Sequence, residues 1–364
     1  MKSKILYLYS AVLLLAVLPL QAQDQSGGEA RTVNRNITYL PILFYTPETK
    51  IAGGGLVNYN FYASHDNGTA FPSTIMPTVI YTQNRQLISE LYGDLYLSGG
   101  YHLQGRLGYK DFPDKFYGTG SRTDDGVVED YTEQSVEAMI LAQKRLFYKI
   151  DFGVWYTFAY RKITESEPGG QLERMEIPGS ESGYTSGAGL VITRDTRDNK
   201  FFPTGGAFQE LAWVYYGNET GSDYLFSQYK IDVKKYFSPA ENQALAFRAM
   251  AGFTAGNPPF QNMSAFGGPN ILRGYYAGRY RDRQMTVYQA EYRFPLFGRL
   301  GAAFFADLGH IAHELHDFKL NDYKYSLGSG LRYRINKNEK LNIRLDLGMT
   351  KEGSGLYITL GEAF

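Results

Sequence analysis

The sequence predicts an all-β protein, a transmembrane antiparallel β-barrel of 16 strands with long extracellular loops and short periplasmic turns. Three observations lead to this prediction: an N-terminal export signal, segments of alternating polarity, and connections that alternate between long and short. Composition agrees, because 31 Tyr and 40 Gly among 364 residues suit aromatic girdles and tight turns. Zero net charge implies no bulk attraction to nucleic acid, and the lack of Cys excludes disulfides, Cys-ligated zinc and a lipoprotein anchor.

Residues 1–22 are predicted to be a cleaved signal peptide. Lys2 and Lys4 supply the positive charge, Ile5 to Leu20 form the apolar segment, and Ala22 is the small residue before cleavage. The alternative is a membrane anchor, which is disfavoured because the apolar run is short and no stop-transfer charges follow it. A secreted chain without another apolar helix crosses a membrane as a closed barrel or not at all.

After a short polar periplasmic tail, residues 23–36, the rest of the chain (37–364) divides into strand-like segments. An even number of strands is what single-chain bacterial barrels require, and it places both termini on the periplasmic side. The sixteen predicted strands are Tyr39–Thr46, Ile51–Tyr62, Thr74–Gln83, Gln86–Leu97, Tyr101–Phe112, Ser135–Tyr148, Ile150–Ile163, Tyr184–Thr196, Gly206–Gly217, Tyr224–Phe237, Gln243–Thr254, Gln284–Phe294, Arg299–Leu308, Tyr323–Ile335, Lys340–Met349 and Gly355–Phe364.

Alternating polarity is clearest in the segment Leu341 to Met349. Its odd-numbered residues are all apolar, whereas Asn342, Arg344 and Asp346 share the other face. A soluble sandwich would bury the apolar face, and a barrel in lipid would point that face outward. Alternation alone does not separate these two folds. A polar lumen removes the cost of about 2–4 kcal/mol for an Arg or Lys that faces lipid at mid-bilayer.

Connection lengths favour the barrel. From the fifth strand onward the long connections are Pro113–Gln134, Thr164–Gly183, Ala255–Arg283 and Gly309–Asp322, and the short ones are Lys149, Ser238–Asn242, Pro295–Gly298 and Asn336–Glu339. Such alternation is typical of long extracellular loops and short periplasmic turns. Two early connections, Thr46–Ile51 and Gln83–Gln86, are short although they should lie outside the cell.

Loop six, predicted over residues 255–283, is the most informative connection. It contains a Gly-rich stretch, Phe266 to Tyr275, with the cation Arg273 among apolar residues. An Arg buried in a lumen needs carboxylate partners, and Glu291 and Asp307 have lumen-facing parity on the next two strands. From the residues alone, a flexible exposed loop is the alternative.

Three motifs resemble the BamA/TamA superfamily of outer-membrane barrels, also called the bacterial surface antigen family. Leu272-Arg273-Gly274-Tyr275 resembles its loop-six motif, Ala290-Glu291-Tyr292 with Phe294-Pro295 its strand-twelve pattern, and Phe304 to Gly309 its strand-thirteen pattern. The resemblance covers nearly the whole mature chain. It implies a sixteen-stranded barrel whose sixth loop folds into the lumen, with Arg273 held by Glu291 and Asp307.

Two further segments resemble the family. Thr193 to Gly206 is similar to the periplasmic turn between strands eight and nine, and its Asp, Asn, Pro and Gly residues favour a structural turn. Gly355 to Phe364 is similar to a C-terminal assembly signal. Within it, the alternation of the strand would point the charged side chain of Glu362 toward lipid. We therefore expect either that Glu362 lies near the membrane interface or that the alternation breaks at Gly361.

The resemblance also implies a weak seam between strands one and sixteen that opens sideways into lipid. The candidate seam residues are Pro41, Gly361 and Phe364. Pro41 would weaken the seam because proline cannot donate a hydrogen bond to a strand ladder. The alternative for Pro41 is that it marks a strand start. Residues 23–36 are too few for a periplasmic POTRA domain, so the resemblance is to a member that lacks such domains.

Other chemistry has weak support in the sequence. His310, His313 and His316 recur every third residue and are weak candidates for a metal site, but ordinary polar loops share this spacing. No P-loop or GxSxG motif is present, so we expect no cofactor and no enzyme activity, with an outer-membrane enzyme as the least favoured alternative.

The expected function is therefore help in inserting or moving proteins, or lipids, at the outer membrane of a Gram-negative bacterium. A passive or partner-gated pore is the main alternative. Expected partners are outer-membrane lipid and lipopolysaccharide, client outer-membrane proteins, and periplasmic or lipoprotein partners; nucleic acid is not expected.

Overall fold

The computed structural model describes residues 36–62, 73–123, 128–336 and 340–364. The predicted signal peptide and all but the last residue of the predicted tail lie outside these ranges. Within the described residues, no helix is long and apolar enough to cross a membrane.

Sixteen antiparallel strands form one closed barrel, which confirms the predicted fold class. Each strand pairs with its neighbours in chain order, and the last strand meets the first. The strands are β1 (Asn36–Thr46), β2 (Lys50–Phe61), β3 (Ser73–Thr82), β4 (Leu87–Leu97), β5 (Tyr101–Phe116), β6 (Glu129–Arg145), β7 (Ile150–Ser166), β8 (Gly183–Asp195), β9 (Gly206–Tyr216), β10 (Phe226–Phe237), β11 (Ala244–Gly256), β12 (Gln284–Phe297), β13 (Leu300–Ala312), β14 (Lys324–Asn336), β15 (Leu341–Met349) and β16 (Ser354–Leu360).

Side-chain burial shows which way the barrel faces. Along β15, the side chains of Arg344 and Asp346 are buried inside, whereas Leu347 and Met349 are 41% and 52% exposed on the outer wall. The ionic face therefore lines the lumen and the apolar face points outward. This polarity decides between the two folds that alternation alone leaves open.

Several strands are longer than the sequence predicts, and the longest are β5, β6 and β7. β5, β6 and β7 contain 16 or 17 residues each, whereas about 9–11 residues cross a bilayer. Pro113 was expected to begin a loop, but it lies within β5 opposite Thr132 of β6. At the end where β5 joins β6, Phe116, Tyr131 and Ile163 of these strands pack against Leu172 and Phe260 of two loops, so contacts with loops replace the alternating pattern there.

The two ends of the barrel differ in the length of their connections. At one end, here called the long-loop end, lie the connections from β5 to β6, β7 to β8, β11 to β12 and β13 to β14, which include residues 117–123, 167–182, 257–283 and 313–323. At the other, the short-turn end, lie those from β6 to β7, β10 to β11 and β12 to β13, which are residues 146–149, 238–243 and 298–299. This arrangement matches the predicted alternation.

The two short connections at the long-loop end have a structural role. Glu48, in the β1–β2 turn, is buried, and its backbone oxygen accepts hydrogen bonds from Asn84 and Gln86 of the β3–β4 turn. Gln86 is buried and also donates to the backbone oxygen of Pro113 at 2.8 Å. The two turns thus form a low rim on which part of loop six rests.

Candidate functional site

Loop six, residues 257–283 in the structure, folds back into the barrel. It carries a small two-stranded sheet, Ser264–Phe266 paired with Tyr280–Asp282. Its apolar residues are buried against the inner wall of the barrel, in a cluster made of Met250, Phe266, Leu272, Tyr275, Tyr280, Met285, Val287 and Ile311. Burial of this cluster gives the in-folded position its hydrophobic stabilisation.

The motif residues Leu272 to Tyr275 lie at the deepest part of this packing. Leu272 is fully buried and has a φ of 47°, which is unusual for a residue other than glycine. Gly274 has a φ of 113°, and its backbone nitrogen lies 2.8 Å from where a Cβ atom on Gly348 would be. The loop therefore approaches β15 so closely that position 348 has no room for a side chain.

Arg273 is fully buried and meets three carboxylates. Its Nη1 atom lies 2.6 Å from Glu291 Oε2 and 2.9 Å from Asp346 Oδ2, and its Nη2 atom lies 3.4 Å from Asp307 Oδ1. The guanidinium carbon also lies 3.4 Å from the centroid of the Phe305 ring. A buried charge needs this degree of pairing, because desolvation of an isolated ion costs several kcal/mol.

Four further charged residues extend this cluster into what we call the Arg273 network. Arg332 connects its parts, with contacts to Glu291 at 3.0 Å, Asp346 at 2.5 Å and Glu362 at 3.0 Å. The network contains four cations and four carboxylates, namely Arg273, Arg293, Arg332, Arg344, Glu291, Asp307, Asp346 and Glu362. Its side-chain charges therefore balance within the barrel wall.

The backbone of the motif is also held by the barrel. Ser326 of β14 donates a hydrogen bond to the backbone oxygen of Arg273. The hydroxyl of Tyr357 on β16 accepts one from the Gly274 nitrogen at 2.9 Å and donates one to the Tyr275 oxygen at 3.1 Å. Loop six is thus attached to strands β12 to β16 by both its side chains and its backbone.

The structure brings together Arg273, Glu291 and Asp307, the three residues that the sequence singles out. The sequence reasoning missed Asp346, Arg332 and the rest of the network. A signal was present, because Arg332 and Asp346 stand on the polar faces of alternating segments. The family resemblance, however, implies partners of Arg273 only on strands twelve and thirteen.

The seam between β1 and β16 is held by a single pair of opposed residues, Tyr45 and Ile358. Among the described residues, every other neighbouring pair of strands shares between seven and sixteen opposed residues. The register leaves Asn36 to Phe44, including Pro41, without a partner on β16. Most of β1 therefore has a free edge.

The C-terminal residues explain why β16 is short. Gly361 has a φ of 78°, and the chain turns inward there instead of continuing as a strand to Phe364 as predicted. Glu362 consequently faces the lumen, where it meets Arg332, so the expected break of parity occurs at Gly361. Phe364 is not at the seam either, since it is buried against Tyr236 of β10.

Loop six contacts both sides of the seam. Glu48, just after β1, accepts a hydrogen bond from the Ala277 nitrogen at 2.7 Å. On the other side, Tyr357 of β16 holds Gly274 and Tyr275. Loop six therefore bridges β1 and β16, which pair with each other directly at one pair of opposed residues.

The β8–β9 turn, which resembles a family motif, is organised around Asp198. Its Oδ1 atom accepts hydrogen bonds from the backbone nitrogens of Thr204 at 2.9 Å and Gly205 at 3.0 Å. Partial burial raises the pKa of Asp198, but hydrogen bonds from the Thr204 hydroxyl and these nitrogens outweigh burial and leave the pKa below its usual value. Phe202, in the same turn, is buried.

The three histidines lie in different surroundings. His310 is buried between the rings of Phe318 and Tyr323, whereas His313 and His316 are largely exposed. Among the described residues, no three His, Asp or Glu side chains form a group that could hold a metal ion.

Comparison with known proteins gives a family-level match. The Omp85 superfamily domain matches residues 81–364. No protein with a curated description matches the chain.

Three solved structures share the fold. BamA from Haemophilus ducreyi lacking POTRA domains 1–3 is 13% identical with a TM-score of 0.63, over 91% of this chain and 70% of that one. CdiB from Acinetobacter baumannii is 11% identical with a TM-score of 0.56, over 89% of this chain and 59% of its own. CdiB from Escherichia coli is 10% identical with a TM-score of 0.60, over 89% and 62% respectively. The chain thus spans less than two thirds of both CdiB chains.

Proposed function

The chain belongs to the Omp85 superfamily, and from this premise we propose that it helps to insert proteins, or lipids, into the outer membrane of a Gram-negative bacterium or to move them across it. The proposed route is the seam between β1 and β16. Opening of this seam would give a client strand direct access from the lumen to the bilayer.

One observation carries the proposal: the single opposed pair, Tyr45 with Ile358, that closes the barrel. A backbone group without a hydrogen-bond partner is costly in lipid. The free edge of β1 is therefore a favourable place for another strand to pair. Pro41 weakens this edge further because it has no N–H group to donate.

The contacts of loop six support a closed resting state. The loop meets Glu48 on one side of the seam and Tyr357 on the other, so that wide separation of the two strands requires these contacts to break. We propose that a client or partner protein displaces them. The proposed partners are client outer-membrane proteins, periplasmic proteins or lipoproteins, together with outer-membrane lipid and lipopolysaccharide.

A disulfide across the seam tests the proposal. The sequence has no Cys, so Tyr45→Cys with Ile358→Cys introduces the only possible bridge, between residues that stand directly opposite each other. Purified protein in liposomes should accelerate the folding of an unfolded outer-membrane barrel. We expect the oxidised variant to lose most of this acceleration and the reduced variant to regain it.

A bridge within a complete ladder provides the control. Ile140→Cys with Tyr156→Cys links β6 to β7 at opposed residues that are also on the outer wall. Oxidation of this pair should leave the acceleration unchanged. Full activity of the oxidised seam variant would refute lateral opening.

A partner-gated pore is the second candidate function. It is favoured by the position of loop six, which fills the lumen of a barrel whose strand number otherwise suits an aqueous channel. In this case the partner would displace loop six without opening the seam. The seam disulfide separates the two candidates, since it would leave conductance through the lumen intact.

A further inference from the structure

A cavity of about 150 Å³ lies at the short-turn end of the lumen, below the Arg273 network. Strands β12, β13 and β14 and the β8–β9 turn surround it. Its lining includes four arginines, Arg293, Arg299, Arg332 and Arg334, and the rings of Phe202 and Phe294. The cavity has room for a small oxyanion or a few water molecules.

The cations that line this cavity, here called the basal cavity, are only partly neutralised. Arg293 and Arg332 share the carboxylates of Glu291 and Glu362. Arg299 and Arg334 have no ion pair with a carboxylate in the described part of the chain. Arg332 also meets Asp346, which it shares with Arg273 and Arg344. Arg293 and Arg332 are thus neutralised within the balanced Arg273 network, which leaves the charges of Arg299 and Arg334 without a carboxylate partner among the described residues.

Unused hydrogen-bond donors accompany the excess charge. Arg293 is 1% exposed, yet its Nη1 atom makes no hydrogen bond within the described residues. The side-chain hydrogen bond of Arg334 is a long one, from Nε to Asn342 Oδ1 at 3.4 Å. A buried donor without an acceptor costs about 1–3 kcal/mol, so an acceptor in the cavity would be stabilising.

Phe202 holds the arginines in place. Its ring centroid lies 5.1 Å from the guanidinium carbon of Arg334 and 6.0 Å from that of Arg293. Contact with an aromatic face fixes the guanidinium groups without neutralising them. The β8–β9 turn therefore contributes a wall to the cavity in addition to connecting two strands.

We propose that the basal cavity binds a phosphate group. A phosphate carries about −1.5 to −2 charges at neutral pH, which matches the two unpaired arginines, and offers several acceptor oxygens to guanidinium groups from different strands. The phosphate reaches the cavity from the short-turn end, where Arg299 is exposed at the rim. Its source is either a phospholipid headgroup or free phosphate. The proposal does not depend on the proposed insertase function.

Calorimetric titration of the purified full-length protein with inorganic phosphate tests the proposal. We expect binding that weakens at least about tenfold in the Arg299→Gln/Arg334→Gln double variant, because two charge-assisted contacts are lost. Lys149→Gln, which removes an exposed cation from another turn at the same end, should leave binding unchanged. Absence of phosphate binding, or equal binding by the double variant, would overturn the proposal.

Further experiments identify the source of the phosphate group and allow for misfolding of the double variant. In nanodiscs, phosphatidic acid should compete with inorganic phosphate if the site takes a lipid headgroup, whereas phosphatidylcholine discs serve as the reference for free phosphate. Acetate or an acidic peptide binding as tightly as phosphate would overturn the assignment to phosphate. If the double Gln variant fails to fold, the single variants Arg299→Gln and Arg334→Gln each remove one of the two charges, and unchanged binding by both would also count against the site.

Discussion

Arg273 shows how a full charge is accommodated inside the barrel. Its guanidinium group makes ion pairs with Glu291, Asp307 and Asp346, and Arg332 in turn shares two of these carboxylates. Glu291 and Asp346 are thereby each paired with more than one arginine, whereas Asp307 is paired with Arg273. Removal of one cation leaves carboxylates that are buried and no longer neutralised, which is more costly than the loss of a single surface ion pair.

We expect Arg273→Ala to lower the free energy of unfolding by about 3–5 kcal/mol, as for other broken buried ion pairs. Unheated folded barrels migrate differently from heated ones in gel electrophoresis. The measurement is the urea concentration at which half of the protein has lost this difference. Arg174→Ala removes an exposed ion pair with Glu176 in the β7–β8 loop and is the control, with no measurable change expected. An unchanged midpoint and unchanged abundance of Arg273→Ala would contradict a stabilising role for the network.

At this scale the sequence predicted part of the site. Glu291 and Asp307 could be selected because they stand at matching parity on strands next to loop six. Asp346 could not, since it lies 73 residues from Arg273 on β15, and parity alone does not reveal how a loop is positioned across a barrel. Arg293 and Arg332 are recognisable as lumen residues, but their shared carboxylates depend on strand register and on the inward turn at Gly361.

Among the elements, strand polarity was the most predictable property. A period of two residues identifies the outer and inner faces wherever one face meets lipid and the other a polar lumen. The same rule fails at the long-loop ends of β5 to β7, where Phe116, Tyr131 and Ile163 pack against loop residues. It also fails at the end of β16, where one glycine redirects the chain.

We expect Gly361→Ala to destabilise the barrel by about 1–2 kcal/mol, because an L-residue with a side chain is strained at a φ of 78°. The strain should loosen the inward turn and weaken the contact of Glu362 with Arg332. Gly105→Ala is the control, since a Cβ atom there would meet nothing within 4 Å. If the two variants show equal urea midpoints, the inward turn does not depend on the glycine.

For the whole molecule, loop six determines what the lumen can do. A barrel of sixteen strands is wide enough for an aqueous channel, but the buried apolar cluster and the Arg273 network occupy the space. The low rim formed by the two early turns lets the loop extend across to Glu48. The two early connections at the long-loop end are therefore short where loop six crosses the rim, a role that connection length alone did not predict.

Replacement of residues 267–279 by a short Gly-Ser linker should raise the steady conductance of the protein in planar bilayers, because the lumen then fills with water. The control replaces residues 315–320, in the β13–β14 loop, where Leu315 and Leu320 are 63% and 90% exposed. That variant should conduct like the unmodified protein. Equal conductance after removal of the loop-six segment would show that another element closes the lumen.

The position of the Arg273 network along the chain has a consequence for the order of folding. All eight charged members come from residues 273–362, and the longest chain segment that their contacts close is the 73 residues between Arg273 and Asp346. These segments are shorter than the one closed when β1 pairs with β16, which joins the two ends of the barrel and carries the largest loop-closure entropy. Pulse-labelled hydrogen exchange during refolding should therefore protect the amides of β12 to β15 before those of β1 to β3, and the opposite order would exclude this C-terminal nucleus.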